Sequence, residues 1–174
     1  MKASVFIATS LDGFIARQDG SVDWLEVEET NEDFGFAAHM DSVDALVMGR
    51  NTYDFVASTG MWHYGDKPVI VLTSRSLEIP AERSAAVEAS NLPPAELAKE
   101  LDRRGIERVY VDGGATIQSF LDAGLVDRMS ITTIPILLGS GIPLFGRSQQ
   151  DIHLRHVNTV AFTNGLVQTT YDVT

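Results

Sequence analysis

Five short runs of apolar and β-branched residues punctuate the chain, at 4–9, 45–48, 69–73, 108–111 and 129–138, each bounded by glycine, proline or polar clusters. Continuous runs of this length fit strands buried on both faces, as in a parallel sheet. Between them lie stretches of helical spacing near 31–40, 52–58, 94–104 and 115–123. The third opens on Pro94, Ala95 and Glu96, stops before Gly105 and sets Leu97, Ala98 and Leu101 on one face. Start signal, stop signal and period agree there. Strands alternating with helices predict an α/β sheet with helices on both faces. The last quarter changes period, because HLRHVNTVAF and LVQTTYDV alternate polar with apolar and are separated by Thr163, Asn164 and Gly165. An Asn-Gly pair in that setting predicts an antiparallel hairpin. One mixed sheet, mostly parallel in its body and closed by a C-terminal antiparallel hairpin, is the simplest architecture. Residues 60–67 and 91–94 read as surface loops, and no repeat or linker divides the chain.

Composition narrows this picture. The 174 residues are 44% hydrophobic, enough for one core, so a single domain spanning 1–174 is expected. No apolar run approaches the roughly 20 residues of a membrane helix. The N-terminal MKASVFIATS reads as a first strand, not a secretory signal. With no cysteine, disulfides and thiolate metal sites are excluded and a cytoplasmic location fits. His39, His63, His153 and His156 are scattered, so no metal is expected. The net charge of −11 argues against a nucleic-acid partner. It also means that an anionic ligand must meet a local arginine or a helix end.

Three segments offer such places. In VYVDGGATIQSFLDAGL a strand breaks at Gly113 and Gly114 before a helix. Paired glycines there let phosphates approach the backbone at a helix N-terminus, and they equally suit a tight turn that needs a positive φ. In ALVMGRNTYDFV a strand ends at Gly49, Arg50 follows, and Asn51 or Thr52 can cap the next helix. In VLTSRS, Thr73, Ser74 and Arg75 close a strand with two hydroxyls and a guanidinium. Each alone also reads as an ordinary turn, cap or solvated arginine. Together, at the carboxyl ends of parallel strands, they outline an extended phosphorylated ligand such as a dinucleotide. SLDGFIARQDGSVDWL, with two Asp-Gly turns and then Trp24, suits a lid.

The strand followed by SLDGFIA, the MGRNTY and VLTSR turns, and VYVDGGATIQSFLDAGLVDRMSITTIPILLGSGIPLF together resemble the dihydrofolate reductase superfamily. Within it the chain is most similar to the reductase domain of riboflavin biosynthesis and its stand-alone relatives, over essentially its whole length. The resemblance implies a dihydrofolate reductase-like three-layer fold around an eight-stranded mixed sheet. It implies NADPH as cofactor and hydride transfer to a C=N or C=O group of a pyrimidine- or pterin-like small molecule, foremost 5-amino-6-(5-phosphoribosylamino)uracil. By the same resemblance, Gly49, Arg50, Asn51 and Thr52 hold the pyrophosphate and the adenosine 2′-phosphate side, and Thr73, Ser74 and Arg75 flank the adenine and its 2′-phosphate. Gly113, Gly114, Ala115, Thr116 and Ile117 lie beneath the pyrophosphate and nicotinamide ribose, and Ala8, Ile15 and Ala16 line the nicotinamide. Two cationic corners favour NADPH over NADH.

On the substrate side the resemblance implies Asp33 as the catalytic carboxylate, with Glu32 a near competitor, Thr132 as its hydroxyl support, and Trp24 in the substrate pocket. The run EVEETNED also fits a solvated acidic helix start, and Thr132 fits a buried threonine satisfied within its sheet. The pattern departs from folate reductases, with Ala37 or the offset Phe36 where an aromatic is expected and no arginine for a glutamate tail. It departs from the bifunctional riboflavin enzyme in having no deaminase domain. Dihydrofolate reduction is therefore the alternative activity, and a nucleotide-binding module without turnover the alternative of another class. A homodimer through segment 134–145 and the final hairpin completes the expectations.

Overall fold

Each apolar run becomes a strand in the computed structural model, which describes residues 1–25, 33–60, 62–146 and 150–174. The strands are β1 (Lys2–Ser10), β2 (Phe14–Ala16), β3 (Ala45–Gly49), β4 (Val69–Leu72), β5 (Val87–Ser90), β6 (Arg108–Asp112), β7 (Val126–Ile134), β8 (Ile142–Pro143), β9 (Leu154–Ala161) and β10 (Val167–Val173). Eight form one sheet in the order β5-β4-β3-β6-β1-β7-β10-β9, and β2 pairs with β8 apart from it. Neighbours from β5 to β7 are parallel. Strand β10 runs antiparallel to both of its neighbours, β7 and β9. This is the mixed sheet with a C-terminal antiparallel hairpin that the hydrophobic pattern predicts.

Four helices, α1 (Phe36–Asp41), α2 (Arg50–Thr59), α3 (Pro94–Arg103) and α4 (Gly114–Asp122), cover the sheet on both faces. Strand side chains alternate between two cores. Val47, Val109, Val111 and Met129 pack with Leu97, Leu101, Ile117 and Phe120 of α3 and α4. Leu46, Met48, Val71 and Tyr110 pack with Met40 and Tyr53 of α1 and α2.

Several boundaries differ from the sequence reading. The run at 129–138 is strand only to Ile134, because Pro135 has no N–H to give a ladder and the Ile136 N–H turns back to the Ile134 carbonyl at 2.7 Å. The same strand starts earlier, at Val126, where Asp127 and Arg128 interrupt the apolar pattern. The edge strand β5 buries only Val87 and therefore leaves no apolar run to read. The helix expected from 31 begins at Phe36; positions 31 and 32 lie outside the described residues. Helix α2 begins at Arg50, two residues before the expected start, since β3 passes straight into it.

Candidate active site

Two strand-to-helix turns build the site. Gly49 is both the last residue of β3 and the N-cap of α2, and Gly113, at φ +87°, links β6 to α4. Neither helix start carries a side-chain cap. Asn51 and Thr52 thus lie within the first turn of α2 and do not cap it, which corrects the expectation from sequence. The free N–H groups of two first turns, each at the positive end of a helix dipole, are left for a ligand.

The two turns interlock. A Cβ on Gly113 would stand 2.3 Å from Thr52 Oγ1, and one on Gly49 would stand 3.0 Å from Thr116 Oγ1. Each helix's first-turn threonine therefore packs against the other turn's glycine. The glycine at 113 serves both purposes allowed by the sequence, a positive φ and a close approach.

A cleft of about 950 Å³ opens between these turns. Of the residues assigned to the cofactor, Ala8, Ile15, Ala16, Gly49, Arg50, Asn51, Thr52, Gly113, Gly114, Ala115 and Thr116 line it. Ile117 does not, because its side chain shares the sheet-facing stripe of α4 with Phe120 and is fully buried there. Thr73, Ser74 and Arg75 follow Leu72, which does line the cleft, but they fold into a local turn in which the Arg75 N–H donates to Thr73 Oγ1 at 3.1 Å. Arg50 ties α2 to that region, its Nη1 donating to the Ser76 carbonyl at 2.9 Å. Uncapped helix ends, a glycine cradle and an arginine fit a pyrophosphate-bearing group.

The segment expected to act as a lid is fastened at its start. The Asp12 carboxylate accepts from Ser10 Oγ at 2.6 Å and from the N–H groups of Leu138 and Gly139 at 3.1 and 2.7 Å, which hold its carboxyl below the ordinary range. Further on, Gln18, Gly20, Val22 and Leu25 border the cleft as a rim, with Arg17 and Asp23 paired at 2.7 Å.

The substrate-side residues are arranged differently from the expectation. Asp33 is exposed, and its two oxygens accept from the Gly35 and Ala37 N–H groups at 2.9 and 3.0 Å, which lowers its pKa. It secures the chain's entry to α1, through a turn in which Phe34 and Gly35 both have positive φ, and does not line the cleft. Thr132 is buried as expected, but its Oγ1 accepts from Gln168 Nε2 at 3.0 Å, and the same amide donates to the Phe34 carbonyl at 3.0 Å. The threonine therefore supports the α1 entry and not a carboxylate. Trp24 is buried against Ile134 and Leu166, with no partner for its Nε1 among the described residues, one residue from the cleft-lining Leu25. Glu32 lies outside the described residues.

An acid that the sequence reading did not single out has the most altered chemistry in the cleft. Asp112, the last residue of β6, lines the cleft beside Gly113. Burial raises its carboxyl from 3.8 to about 6, against the opposing pull of the Gly113 N–H at 2.8 Å. Its signal was positional: an acid at the carboxyl end of a buried parallel strand sits on the ligand-binding edge. Among the described residues no group of three His, Cys, Asp or Glu is placed to hold a metal, and no helix is long and apolar enough to cross a membrane.

Residues 2–168 match the family described as the RibD C-terminal domain. The dihydrofolate reductase HdrB of Haloferax volcanii is 33% identical over 125 residues, covering 70% of this chain and 62% of that protein. The crystal structure of a Shewanella sp. PV-4 protein assigned to riboflavin biosynthesis is 43% identical, with a TM-score of 0.94 over 100% of this chain and 99% of that one. The dihydrofolate reductase of Enterococcus faecalis, complexed with NADP(H), shares the fold at 20% identity, with a TM-score of 0.66 over 99% and 96% of the two chains.

Proposed function

The chain belongs to the RibD C-terminal domain family and is a reductase of dihydrofolate reductase-like fold; from that membership we propose that NADPH is its reductant and a ribosylaminopyrimidine, of the 5-amino-6-(5-phosphoribosylamino)uracil type, its substrate. The observation that carries the cofactor reading is the meeting of two uncapped helix starts across one glycine-lined cleft. A bound nicotinamide supplies the hydride, so the protein's work is to hold, orient and protonate. Gly49 and Gly113 let phosphates reach the first-turn N–H groups. Ile7, Ala8, Ile15 and Ala16 form an apolar end that excludes water around the reacting carbon. Asp112 is the acid in the cleft with a raised pKa, suited to hold a proton near neutral pH and release it to a substrate nitrogen or oxygen.

The test is a fluorescence titration with NADPH and NADH, followed by NADPH oxidation assays with the ribosylaminopyrimidine and with dihydrofolate. NADPH is expected to bind with a Kd on the order of micromolar, about −8 kcal/mol, more tightly than NADH, and to be consumed with the pyrimidine alone. Binding of neither nucleotide would leave only a shared fold. Turnover with dihydrofolate would move the reading to folate reduction, against the capping geometry of Asp33.

Two copies are further proposed to associate through the C-terminal hairpin. Every residue of β9 is exposed. The register puts Leu154 with Val173, His156 with Tyr171, Thr159 with Thr169 and Ala161 with Val167 on one face. No carboxylate, lysine or arginine stands among them, whereas the opposite face carries Arg128, Arg155 and Asp172. On a chain of net charge −11, a charge-free face suits a two-fold contact with itself, since like charges there would repel. The segment 134–145 belongs to the same proposal, since Leu137, Ile142 and Phe145 leave their side chains exposed even though Ile142 and Pro143 pair with β2 through the backbone. Light scattering should give twice the 19.0 kDa chain mass, and Thr169→Glu should give the monomer. A monomeric parent protein, or an unaffected variant, counts against this surface.

A further inference from the structure

Asp54 stands in the same cleft as Arg50, where a carboxylate weakens the binding of any anionic cofactor unless it serves that cofactor in another way. Both of its oxygens lie 2.8 Å from Arg50 Nε, which donates to them. Arg50 Nη1 donates to the Ser76 carbonyl at 2.9 Å. The guanidinium is planar, so two anchors, one on its Nε edge and one on Nη1, fix its plane. Beyond these two anchors the guanidinium keeps one N–H on Nη1 and two on Nη2, donors of the kind a phosphate accepts. The pair itself contributes little to folding, since Asp54 is 51% exposed and the two residues are one helical turn apart.

We infer that Asp54 is a positioning residue: together with the Ser76 carbonyl it holds the Arg50 guanidinium edge-on to the cofactor's 2′-phosphate, and so sets the preference for NADPH over NADH. The inference rests on the proposed cofactor and extends it to a residue outside the glycine turns. Without Asp54, the long Arg50 side chain must be ordered at the moment of binding, and that cost falls only on the nucleotide whose phosphate it contacts.

The experiment compares Kd values for NADPH and NADH in the parent protein, Asp54→Ala and Asp54→Asn. Asp54→Ala should weaken NADPH by about threefold to tenfold, the cost of immobilising one flexible side chain, and leave NADH within about twofold. Asp54→Asn keeps an acceptor for Nε and should retain NADPH within about twofold of the parent. Tighter or unchanged NADPH binding in Asp54→Ala would overturn the inference, as would an equal loss for both nucleotides or a failure of Asn to rescue. A parent protein that binds neither nucleotide would instead remove the cofactor reading itself.

Discussion

Gly113→Ala is expected to eliminate measurable NADPH binding, a loss of about 100-fold or more, while destabilising the protein by several kcal/mol, on the order of 2–4. Two separate costs add. The backbone at 113 has φ +87°, a conformation that side-chain-bearing residues rarely adopt. The new Cβ would also stand 2.3 Å from Thr52 Oγ1, well inside contact distance. Relief requires the first turn of α2 or of α4 to move, and those are the two turns whose N–H groups face the cleft. The double variant Gly113→Ala, Thr52→Ala separates the two costs. It removes the hydroxyl, leaving the Thr52 Cβ position at an ordinary 3.4 Å, and should recover the clash but not the backbone strain. Urea denaturation and nucleotide titration of parent, single and double variants measure both. If Gly113→Ala binds NADPH as the parent does, the glycine cradle is not the pyrophosphate site.

The constraint at Gly113 is local, and this is why the two glycine turns were legible in the sequence. A strand that must end, turn and become a helix within two residues leaves glycine in the text. Strands β1, β3, β4 and β6 were legible for a related reason, being buried on both faces and so continuously apolar. The first residues of β7 were not, because Asp127 is consumed by the Ala3 N–H at 2.8 Å and Arg128 by Asp172, pairings visible only once β1 and β10 lie alongside. For Asp33 and Thr132 the sequence left two readings open, and the geometry follows the plainer of each, an acid at a helix start and a threonine satisfied within its sheet; nothing in their spacing says that Gln168, more than thirty residues from Thr132, reaches across to both Thr132 and the α1 entry. Ile117 was misjudged by helix phase, as adjacent residues of α4 face the cleft and the core. Asp112 was hidden for the opposite reason. Its residue type was plain, but its chemistry comes from burial that the sheet imposes after folding.

Asp112→Asn should separate stability from activity, raising the one while lowering the other. The carboxyl has a pKa of about 6 in the folded protein against 3.8 as the reference for the unfolded chain. The folded state thus holds the proton more tightly. Asp112 contributes its full stability below pH 3.8, loses it progressively as pH rises through about 6, and is a constant penalty above that. The shift corresponds to about 3 kcal/mol, and water in the open cleft screens part of it, so about 2 kcal/mol is expected at pH 8. Asparagine carries no such penalty and keeps an acceptor for the Gly113 N–H. Urea midpoints should therefore favour Asp112→Asn at pH 8, with the difference vanishing near pH 4. Activity should move the other way. If the protonated acid delivers the proton, parent turnover at saturating NADPH falls as pH rises through about 6, whereas the variant is slower by roughly 100-fold and lacks that limb. Identical pH dependence of stability in the two proteins would show that Asp112 titrates as an exposed carboxylate. An unchanged stability gap with undiminished turnover would keep the buried acid and remove it from the chemistry, leaving the proton to come from solvent at the cleft mouth.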